Sequence, residues 1–578
     1  MPSGPEQTAG GGAVYTRPEL REDLGELVRL VEQIHPEPYA GYDGRVALHA
    51  AVDRTARRLP ETATREAFYR LVAPLVAGLD DAHSLVLPPD DVGGDEGDHG
   101  DNSGNSPAND SETAGGSSVA TDRRLPLSLR VVDGDLFVTA VSDDGLDDWL
   151  GCRVPSVCGR PASDLADRAA SFYGTENATG RLDRLAGLVE AYDPLARLLD
   201  RSEPPERPTV AVVDGGSEQR RELSPVAAET EPVAELPTTV PTPSGSGPDY
   251  RSFHDGAVAL FNPGNLSDYR ESLEAKYAAA PDAAASQVER AYERQVGGDP
   301  PPETESAIAA LPASTAAVEE LAERMAAAET EALVVDLRDN PGGDSQFVFH
   351  LAYTLAGRKG LARSVERVEL VRRRSAPYRE RYGDGVAEDG GGADADDADG
   401  EENDGGADAE SADDDRRVAA PTEYDFTGVT DGETTAVDPV EIVRARLSRS
   451  PTATAFLDRV DETGVYRPER LIVVTTARTM SSAFGAAAQL TALGAEVVGV
   501  PSGQAPTSFG EPVVRSLPHT GLDVRLAGSM YWWYGRDAPD TLQPTRELTG
   551  DRFAAEPTAD AALRLAFDHL DGGVPGDE

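Results

Sequence analysis

The chain has 578 residues, enough for two or three domains, and its 53 Lys and Arg against 103 Asp and Glu give a formal net charge of −50. This acid excess argues against binding to nucleic acid or to anionic membranes, because a phosphate surface needs a basic partner. Lys276 and Lys359 are the sole lysines, and this composition indicates a protein adapted to a high-salt cytoplasm, where screening weakens self-repulsion.

The N-terminal residues and the two cysteines indicate in which compartment the protein is expected. Cys152 and Cys158 have no histidine nearby in the sequence, so they predict neither a disulfide framework nor a zinc site. The first residues lack the basic start and apolar stretch of a signal peptide, and no run approaches the ~18 apolar residues that a membrane span needs. We therefore expect a soluble, cytoplasmic protein.

Three amphipathic helices are predicted near the N-terminus, at residues 18–36, 46–59 and 64–79, where apolar residues recur every three or four positions. They define an N-terminal helical subdomain, residues 15–89. The segment 90–122 is rich in Asp, Gly and Ser and has no apolar period, so burial cannot offset its ordering entropy. It is predicted to be an acidic, disordered linker.

A β-rich module is predicted over residues 123–225, where short alternating runs replace the helical pattern. Its run at 152–161 resembles the strand and turn of a PDZ-like domain, a module that binds extended peptide ends by strand addition. A generic small β-rich domain is the alternative. A Pro/Thr/Ser linker, residues 226–249, follows.

The remaining region, residues 250–571, alternates strands and helices. Helices are predicted at 314–328 and 344–356, around a strand at 332–338. This alternation is typical of an α/β layer with a mostly parallel sheet. The acidic stretch 384–418 is predicted to be a disordered insertion in this domain.

Two turns in this region carry the candidate chemistry. An apolar strand runs into Asp336-Leu-Arg-Asp-Asn-Pro-Gly-Gly343, a tight turn whose backbone N–H groups could hold an anion. A second apolar strand, 471–475, runs into Thr479-Met-Ser-Ser-Ala-Phe484. If the turns converge, they bring amides to a serine hydroxyl, as acyl transfer requires. An ordinary Pro-Gly turn and a helix-capping serine are the alternative readings.

Such a serine needs a proton acceptor. No lysine follows Ser481, so histidine is the natural base. His83 stands out among the eight histidines, because it lies between a helical pattern and a short alternating run and can be aimed into a cleft. A structural histidine is the alternative reading.

At these residues the chain resembles the serine peptidase superfamily of C-terminal processing proteases and the tricorn core protease, more on the tricorn side. The Asp336–Gly343 segment is similar to the family's Asp-Leu-Arg-x-Asn-x-Gly-Gly signature, and 479–484 is similar to Thr-x-Ser-Ala-x-Glu. Two shorter stretches, His35-Pro-Glu-Pro-Tyr39 and Asp81-Ala-His-Ser84, resemble His-Pro-x-x-Tyr and Asp-Gly-His-Thr. The motifs also follow the family's order along the chain.

The resemblance implies a ClpP/crotonase-like catalytic core and a serine-type peptidase that forms an acyl-enzyme intermediate. Ser481 is implied as nucleophile and His83 as base, with the backbone N–H groups of Gly342, Gly343 and Ser482 as the oxyanion hole. The implied substrate is a peptide or protein, no metal or organic cofactor is needed, and a homo-oligomer is possible because related enzymes form trimers or hexamers.

Two departures from the family pattern matter. Phe484 stands where the family has Glu, and no lysine occurs in 499–510, so a serine/histidine pair is favoured over a serine/lysine dyad. The acid that orients the histidine stays open among Asp80, Asp81 and Glu511. The alternatives to a peptidase are a catalytically impaired peptide-binding protein of the same fold and a crotonase-type acyl-coenzyme A enzyme.

Overall fold

A computed structural model describes residues 13–89, 122–240, 247–279, 281–382, 423–428, 450–463, 466–535 and 538–570. The predicted acidic linker, apart from its last residue, and the predicted acidic insertion lie outside these ranges. Within the described residues, no helix combines the length and the hydrophobicity that crossing a bilayer requires.

The N-terminal part is helical, as predicted. It contains two short antiparallel strands and three helices: β1 (Val14–Thr16), α1 (Arg17–Ile34), α2 (Arg45–Arg58), β2 (Thr62–Thr64) and α3 (Arg65–Ala77). The starts of α1 and α3 are set by threonines, because Thr16 forms a capping box with Glu19 and the Thr64 hydroxyl accepts the Ala67 N–H at 3.2 Å. The chain leaves α3 at Gly78 and reaches His83 five residues later.

The next part is a β-rich module with a helical side. Its strands are β4 (Arg123–Arg124), β5 (Leu127–Val132), β6 (Asp135–Val141), β7 (Arg153–Val157), β8 (Arg160–Pro161), β9 (Thr209–Asp214), β10 (Ser217–Glu222), β11 (Val226–Ala227) and β12 (Ala234–Glu235). The larger sheet runs β10-β9-β7-β6-β12, with β5 on β6 and β8 on β7, whereas β4 pairs with β11. The helices are α4 (Ala162–Ala170), α5 (Ala178–Glu190) and α6 (Leu195–Leu198). Two strands, β11 and β12, fall in the predicted linker 226–249, so that segment packs on the module.

A six-stranded sheet forms the centre of the C-terminal part. Its strands are β13 (Asp249–Phe253), β14 (Val258–Asn262), β15 (Ala332–Asp336), β18 (Arg470–Thr475), β19 (Glu496–Gly499) and β22 (Arg546–Glu547), in that spatial order. Only the β13–β14 pairing is antiparallel among these described strands. The mostly parallel sheet was predicted.

Helices cover both faces of this sheet. The helices of this part are α7 (Arg270–Ala279), α8 (Pro281–Gln295), α9 (Thr304–Ala310), α10 (Ser314–Ala328), α11 (Gln346–Val365), α12 (Ala376–Tyr382), α13 (Pro451–Thr463), α14 (Ser482–Ala492), α15 (Gly550–Ala555) and α16 (Ala561–His569). Of these, α12 packs on α1 and on β16 (Glu369–Arg374), away from this sheet. Strand residues alternate between two cores: Leu333 and Val335 pack with α10, α11 and α14, whereas Val334 packs with α16. Because both faces are buried, the central strands read as continuous apolar runs.

A second, antiparallel sheet joins the N-terminal part to the C-terminal part. It runs β17-β16-β21-β20, from β16 (Glu369–Arg374), β17 (Glu423–Gly428), β20 (Thr507–Ser516) and β21 (Asp523–Trp532). The short β3 (Leu85–Val86) pairs with β21, so the chain enters this sheet two residues after His83. The prediction of a mixed α/β protein is therefore confirmed.

Candidate active site

Ser481 lies on a strained turn between β18 and α14. Its φ of 50° and ψ of −124° fall outside the regions that suit a residue with a side chain, and such a backbone costs about 1–3 kcal/mol. The turn is held from both sides: Thr479 Oγ1 donates to the Leu337 carbonyl at 2.8 Å, and Met480 N–H donates to the Asn340 carbonyl at 3.0 Å. The Ser481 N–H donates to Oε1 of Gln504. Strain kept in place in this way is typical of functional turns.

The hydroxyl groups of the two adjacent serines differ in their partners. Ser482 Oγ donates to the Gly343 carbonyl at 2.7 Å and lies 2.9 Å from Ser345 Oγ. Ser481 Oγ has no hydrogen-bond partner among the described residues. The free hydroxyl is therefore the one that the sequence motif indicates.

The glycine turn after β15 packs directly on this serine turn. Gly342 and Gly343 have φ values of 100° and 132°, which glycine alone adopts readily. A Cβ at Gly342 would lie 2.7 Å from the Met480 carbonyl oxygen, from Ser481 Cβ and from Ser482 N. Glycine is thus required both for the backbone conformation and for the close approach, and the two predicted turns do converge.

The amides of this turn correct one part of the predicted oxyanion hole. The Gly342 N–H donates to Oδ1 of Asn340 at 3.0 Å and is occupied. In the described part of the chain, no acceptor faces the N–H of Gly343 or of Ser482. The predicted amide of Gly342 is therefore not available, because the asparagine side chain closes its own turn; two amides remain.

We expect Gly342→Ala to lower the free energy of unfolding by about 2–4 kcal/mol. The added Cβ would clash with backbone atoms, and alanine would also have to adopt the positive φ of this position. Chemical denaturation followed by circular dichroism measures this change. Gly25→Ala is the matched control: Gly25 lies in α1 with nothing within 4 Å of an added Cβ, and we expect it to gain roughly 0.5–1 kcal/mol. Equal effects at both positions would contradict the packing described above.

His83 lies in a buried loop between α3 and β3. Its side chain is 4 % exposed, its N–H donates to Asp81 Oδ1 at 2.7 Å, and its carbonyl accepts Nε of Arg525 at 3.0 Å. Neither ring nitrogen has a hydrogen-bond partner among the described residues. The backbone of the loop is thus fixed, and the ring is left for other contacts.

Asp81 holds the loop together. It accepts from His35 Nε2 at 3.2 Å and from the Ser84 hydroxyl, besides the His83 N–H. Burial acts to raise the pKa of the Asp81 carboxyl, but the hydrogen bond and charge of His35, with His83 and Ser84, bring the pKa below its ordinary value. Asp81 is therefore an anion whose lone pairs are already used, which suits a structural role.

Glu176 is the residue that the sequence reasoning missed. It follows α4 in a loop, and its Oε2 accepts the Ala505 N–H at 2.9 Å. Its Oε1 is buried without a partner in the described part of the chain and lies 3.9 Å from His83 Nδ1. Burial raises the pKa of the Glu176 carboxyl, against the lowering effect of His83. No periodicity or spacing in the sequence marks this residue.

The segment Ser502–Ala505 links the histidine side to the serine side. Gln504 accepts the Ser481 N–H, and the next residue, Ala505, donates to Glu176 beside His83. Ser502 Oγ also donates to the carbonyl of Thr479. The structure therefore brings the loop of His83, the turn of Ser481 and the glycine turn to one region.

The other candidate acids face elsewhere. Glu511 forms hydrogen bonds with Arg372 at 2.8 Å and with Ser529 on the antiparallel sheet, and Asp80 is exposed. Phe484, at the position of the family's Glu, is fully buried with its ring 6.4 Å from that of Trp533. Apolar packing thus takes the place of that carboxylate.

Asp81, His83 and Glu176 also offer ligand atoms within 4.8 Å of one another, close enough for a metal ion. The two Asp81 oxygens already accept three hydrogen bonds, and a metal ion would have to displace some of these donors. The cluster therefore fits a histidine facing a carboxylate better than a metal centre.

The comparisons with known proteins bear on the fold. No family model matches the sequence, and no curated protein matches it. Among solved structures, mature CPAF is similar with a TM-score of 0.50 and 14 % identity, over 97 % of this chain and 99 % of that chain. The chain has the fold of mature CPAF. CPAF complexed with lactacystin gives a TM-score of 0.50 and 14 % identity, over 96 % of this chain and 98 % of that chain.

The photosystem II D1 C-terminal processing protease is also similar, with a TM-score of 0.38 and 12 % identity, over 95 % of this chain and 99 % of that chain. The similarity to CPAF spans nearly the whole of both chains, so it includes the N-terminal helices and the β-rich module.

Proposed function

We propose that the protein is a serine peptidase that hydrolyses peptide bonds through an acyl-enzyme intermediate. The observation that supports this most is the contact of the Gly342 turn with Ser481, whose hydroxyl is free on a strained strand-to-helix turn. We further propose a ClpP/crotonase-like core, a PDZ-like role for the module at 123–225 and the domain boundaries predicted from the sequence, except that β11 and β12 of the predicted linker pair with the module.

In the proposed reaction, Ser481 Oγ attacks the scissile carbonyl carbon while His83 takes the hydroxyl proton. Since His83 Nδ1 faces Glu176 and Asp81, Nε2 is the ring nitrogen left for the serine. The N–H groups of Gly343 and Ser482 stabilise the oxyanion, and the N-terminus of α14 adds its positive dipole end. His83 then protonates the leaving amine, and water hydrolyses the acyl-enzyme by the same route.

In this mechanism Glu176 is a positioning residue. An ionised carboxylate beside Nδ1 stabilises the imidazolium and selects the tautomer that presents a bare Nε2 to the serine. Asp81 is less suited, because its oxygens already accept three hydrogen bonds.

We expect Glu176→Gln to lower kcat/KM by roughly 10²- to 10⁴-fold, because the amide neither stabilises the imidazolium nor selects the tautomer. Because burial raises the pKa of Glu176, the active ionised form is lost as pH falls through that raised pKa. Protonation of Glu176 is therefore expected to contribute to the acid limb of the wild-type pH profile above the ordinary carboxyl range, and the variant is expected to lose this contribution. Profiles of kcat/KM against pH measure both effects.

Asp80→Asn is the matched control for Glu176→Gln. It removes a carboxylate from the same region, at an exposed position with a φ of 54° that asparagine tolerates. We expect kcat/KM within about threefold of wild type. An equal loss in both variants would show that general charge, and not the contact with His83, is responsible.

A fluorophosphonate probe tests the proposed function directly, since it labels an activated serine. Labelling together with cleavage of peptides, and no hydrolysis of acyl-coenzyme A thioesters, supports the peptidase. Absence of labelling at both low and high salt favours the peptide-binding protein instead.

A further inference from the structure

A cleft adjoins the candidate active site. It is lined by Ala82, Thr175, Gly180, Arg184, Met480 and Gly503, among others. Of these, Ala82, Thr175, Met480 and Gly503 directly precede His83, Glu176, Ser481 and Gln504 in the chain. The cleft therefore lies next to the residues proposed to act on the substrate.

The helix that carries Arg184 is held by a hydrogen bond to the segment Ser502–Ala505, which contacts the turn of Ser481. It is helix α5, whose start is capped by Asn177: Oδ1 accepts the Gly180 N–H at 2.9 Å, and Nδ2 donates to the Ser502 carbonyl at 3.0 Å. A Cβ at Gly180 would lie 2.5 Å from the Gly503 carbonyl oxygen. The helix cannot drift from the cleft without breaking these contacts.

The charges around the cleft are matched, with one exception. Arg478 pairs with Asp183 at 3.1 Å and Arg181 with Asp167 at 3.5 Å. Arg184 also lines the cleft, but no carboxylate lies within 4.0 Å of it among the described residues; Asp183, which lines the cleft too, acts on it as a nearby charge without an ion-pair contact. Its guanidinium lies 5.6 Å from the centre of the Tyr173 ring. Burial lowers the pKa of Arg184, which reflects the cost of holding this cation away from water.

We propose that Arg184 determines specificity by binding a carboxylate group of the peptide substrate next to the scissile bond. A guanidinium whose donors are free matches a carboxylate with two parallel hydrogen bonds, and the pairing is stronger in a partly dehydrated cleft. The carboxylate comes either from an Asp or Glu side chain or from the C-terminus of the peptide. This inference rests on the proposed peptidase function.

The test measures binding separately from catalysis. Short fluorescent peptides carry Glu or Gln at each position in turn, each with a free or an amidated C-terminus. Fluorescence anisotropy gives their Kd values for the Ser481→Ala variant at constant ionic strength. We expect one carboxylate source to bind about tenfold or more tightly than its neutral counterpart, as a charge-assisted bidentate pair allows. The peptide position, or the free C-terminus, that shows this difference in Kd identifies the carboxylate that Arg184 binds.

Adding Arg184→Gln to Ser481→Ala is expected to remove the preference, whereas Arg184→Lys keeps part of it. Arg181→Gln is the matched control, since it removes the same charge one turn earlier on α5 from an arginine that does not line the cleft. A preference that is absent, or that survives Arg184→Gln, overturns the inference. If Arg184→Gln does not fold, two other results decide. The first is whether Ser481→Ala shows the carboxylate preference, and the second is whether Arg184→Lys weakens that preference.

The two proposals fail separately. A carboxylate preference that depends on Arg184, without fluorophosphonate labelling of the wild type, leaves a peptide-binding protein with this specificity. Labelling without the preference leaves a peptidase whose specificity is set elsewhere.

Discussion

Replacing Ser481 with alanine is expected to abolish fluorophosphonate labelling and to lower kcat for peptide cleavage by about 10⁴- to 10⁶-fold. The physical reason is the loss of the atom that forms the acyl bond, while the turn that carries it stays in place. Mass spectrometry of the labelled protein identifies the modified residue, and steady-state cleavage of a fluorogenic peptide measures kcat.

Ser482→Ala is the comparison that separates the two adjacent serines. In the wild type the Ser482 hydroxyl contacts the Gly343 carbonyl and the Ser345 hydroxyl. Alanine at this position keeps the backbone N–H that the proposed mechanism uses. We expect labelling to persist, with kcat reduced by no more than about tenfold. Labelling at Ser482 in place of Ser481, or labelling that survives Ser481→Ala, would contradict the assignment of the nucleophile.

The second large effect is expected at the proposed base. His83→Ala should reduce kcat by about 10⁴-fold or more, because the serine then has no positioned acceptor for its proton. No lysine follows Ser481 in the sequence to replace the imidazole. The loss should appear in acylation, so the rate of fluorophosphonate labelling should fall together with the rate of peptide cleavage.

His49→Ala controls for the loss of an imidazole as such. His49 lies on α2 with its side chain 42 % exposed and its Nε2 2.9 Å from Glu32. Breaking one exposed pair is expected to cost less than about 1 kcal/mol and to leave kcat close to wild type. A folded His83→Ala protein that cleaves peptides at the wild-type rate would remove His83 from the mechanism.

Local sequence patterns predicted much of the fold. Helix α10 has the predicted ends, and the three N-terminal helices begin and end within a few residues of prediction. These elements depend on periodicity and on caps such as Thr64, which are properties of adjacent residues. The central strands were also recognisable, because burial on both faces makes them continuously apolar.

The site was predictable only in part. The motifs located Ser481, His83 and the glycine turn, but they implied that the Gly342 amide was free. The asparagine two residues before it occupies that amide, and a motif does not state where a side chain turns. Glu176, the acid that we propose orients His83, was not identified because it comes from a loop between α4 and α5 that carries no recognisable pattern.

What the sequence alone determined is the chemistry within each segment: which strands are buried, which turns need glycine, and which residues can supply a hydroxyl, an imidazole or an amide. The tertiary structure alone decided which segments meet. It placed Glu176 beside His83, left Arg184 without an ion pair among the described residues and packed Phe484 against Trp533. Such contacts join residues far apart in the chain, and their free energies depend on the packing of the whole domain and not on local periodicity.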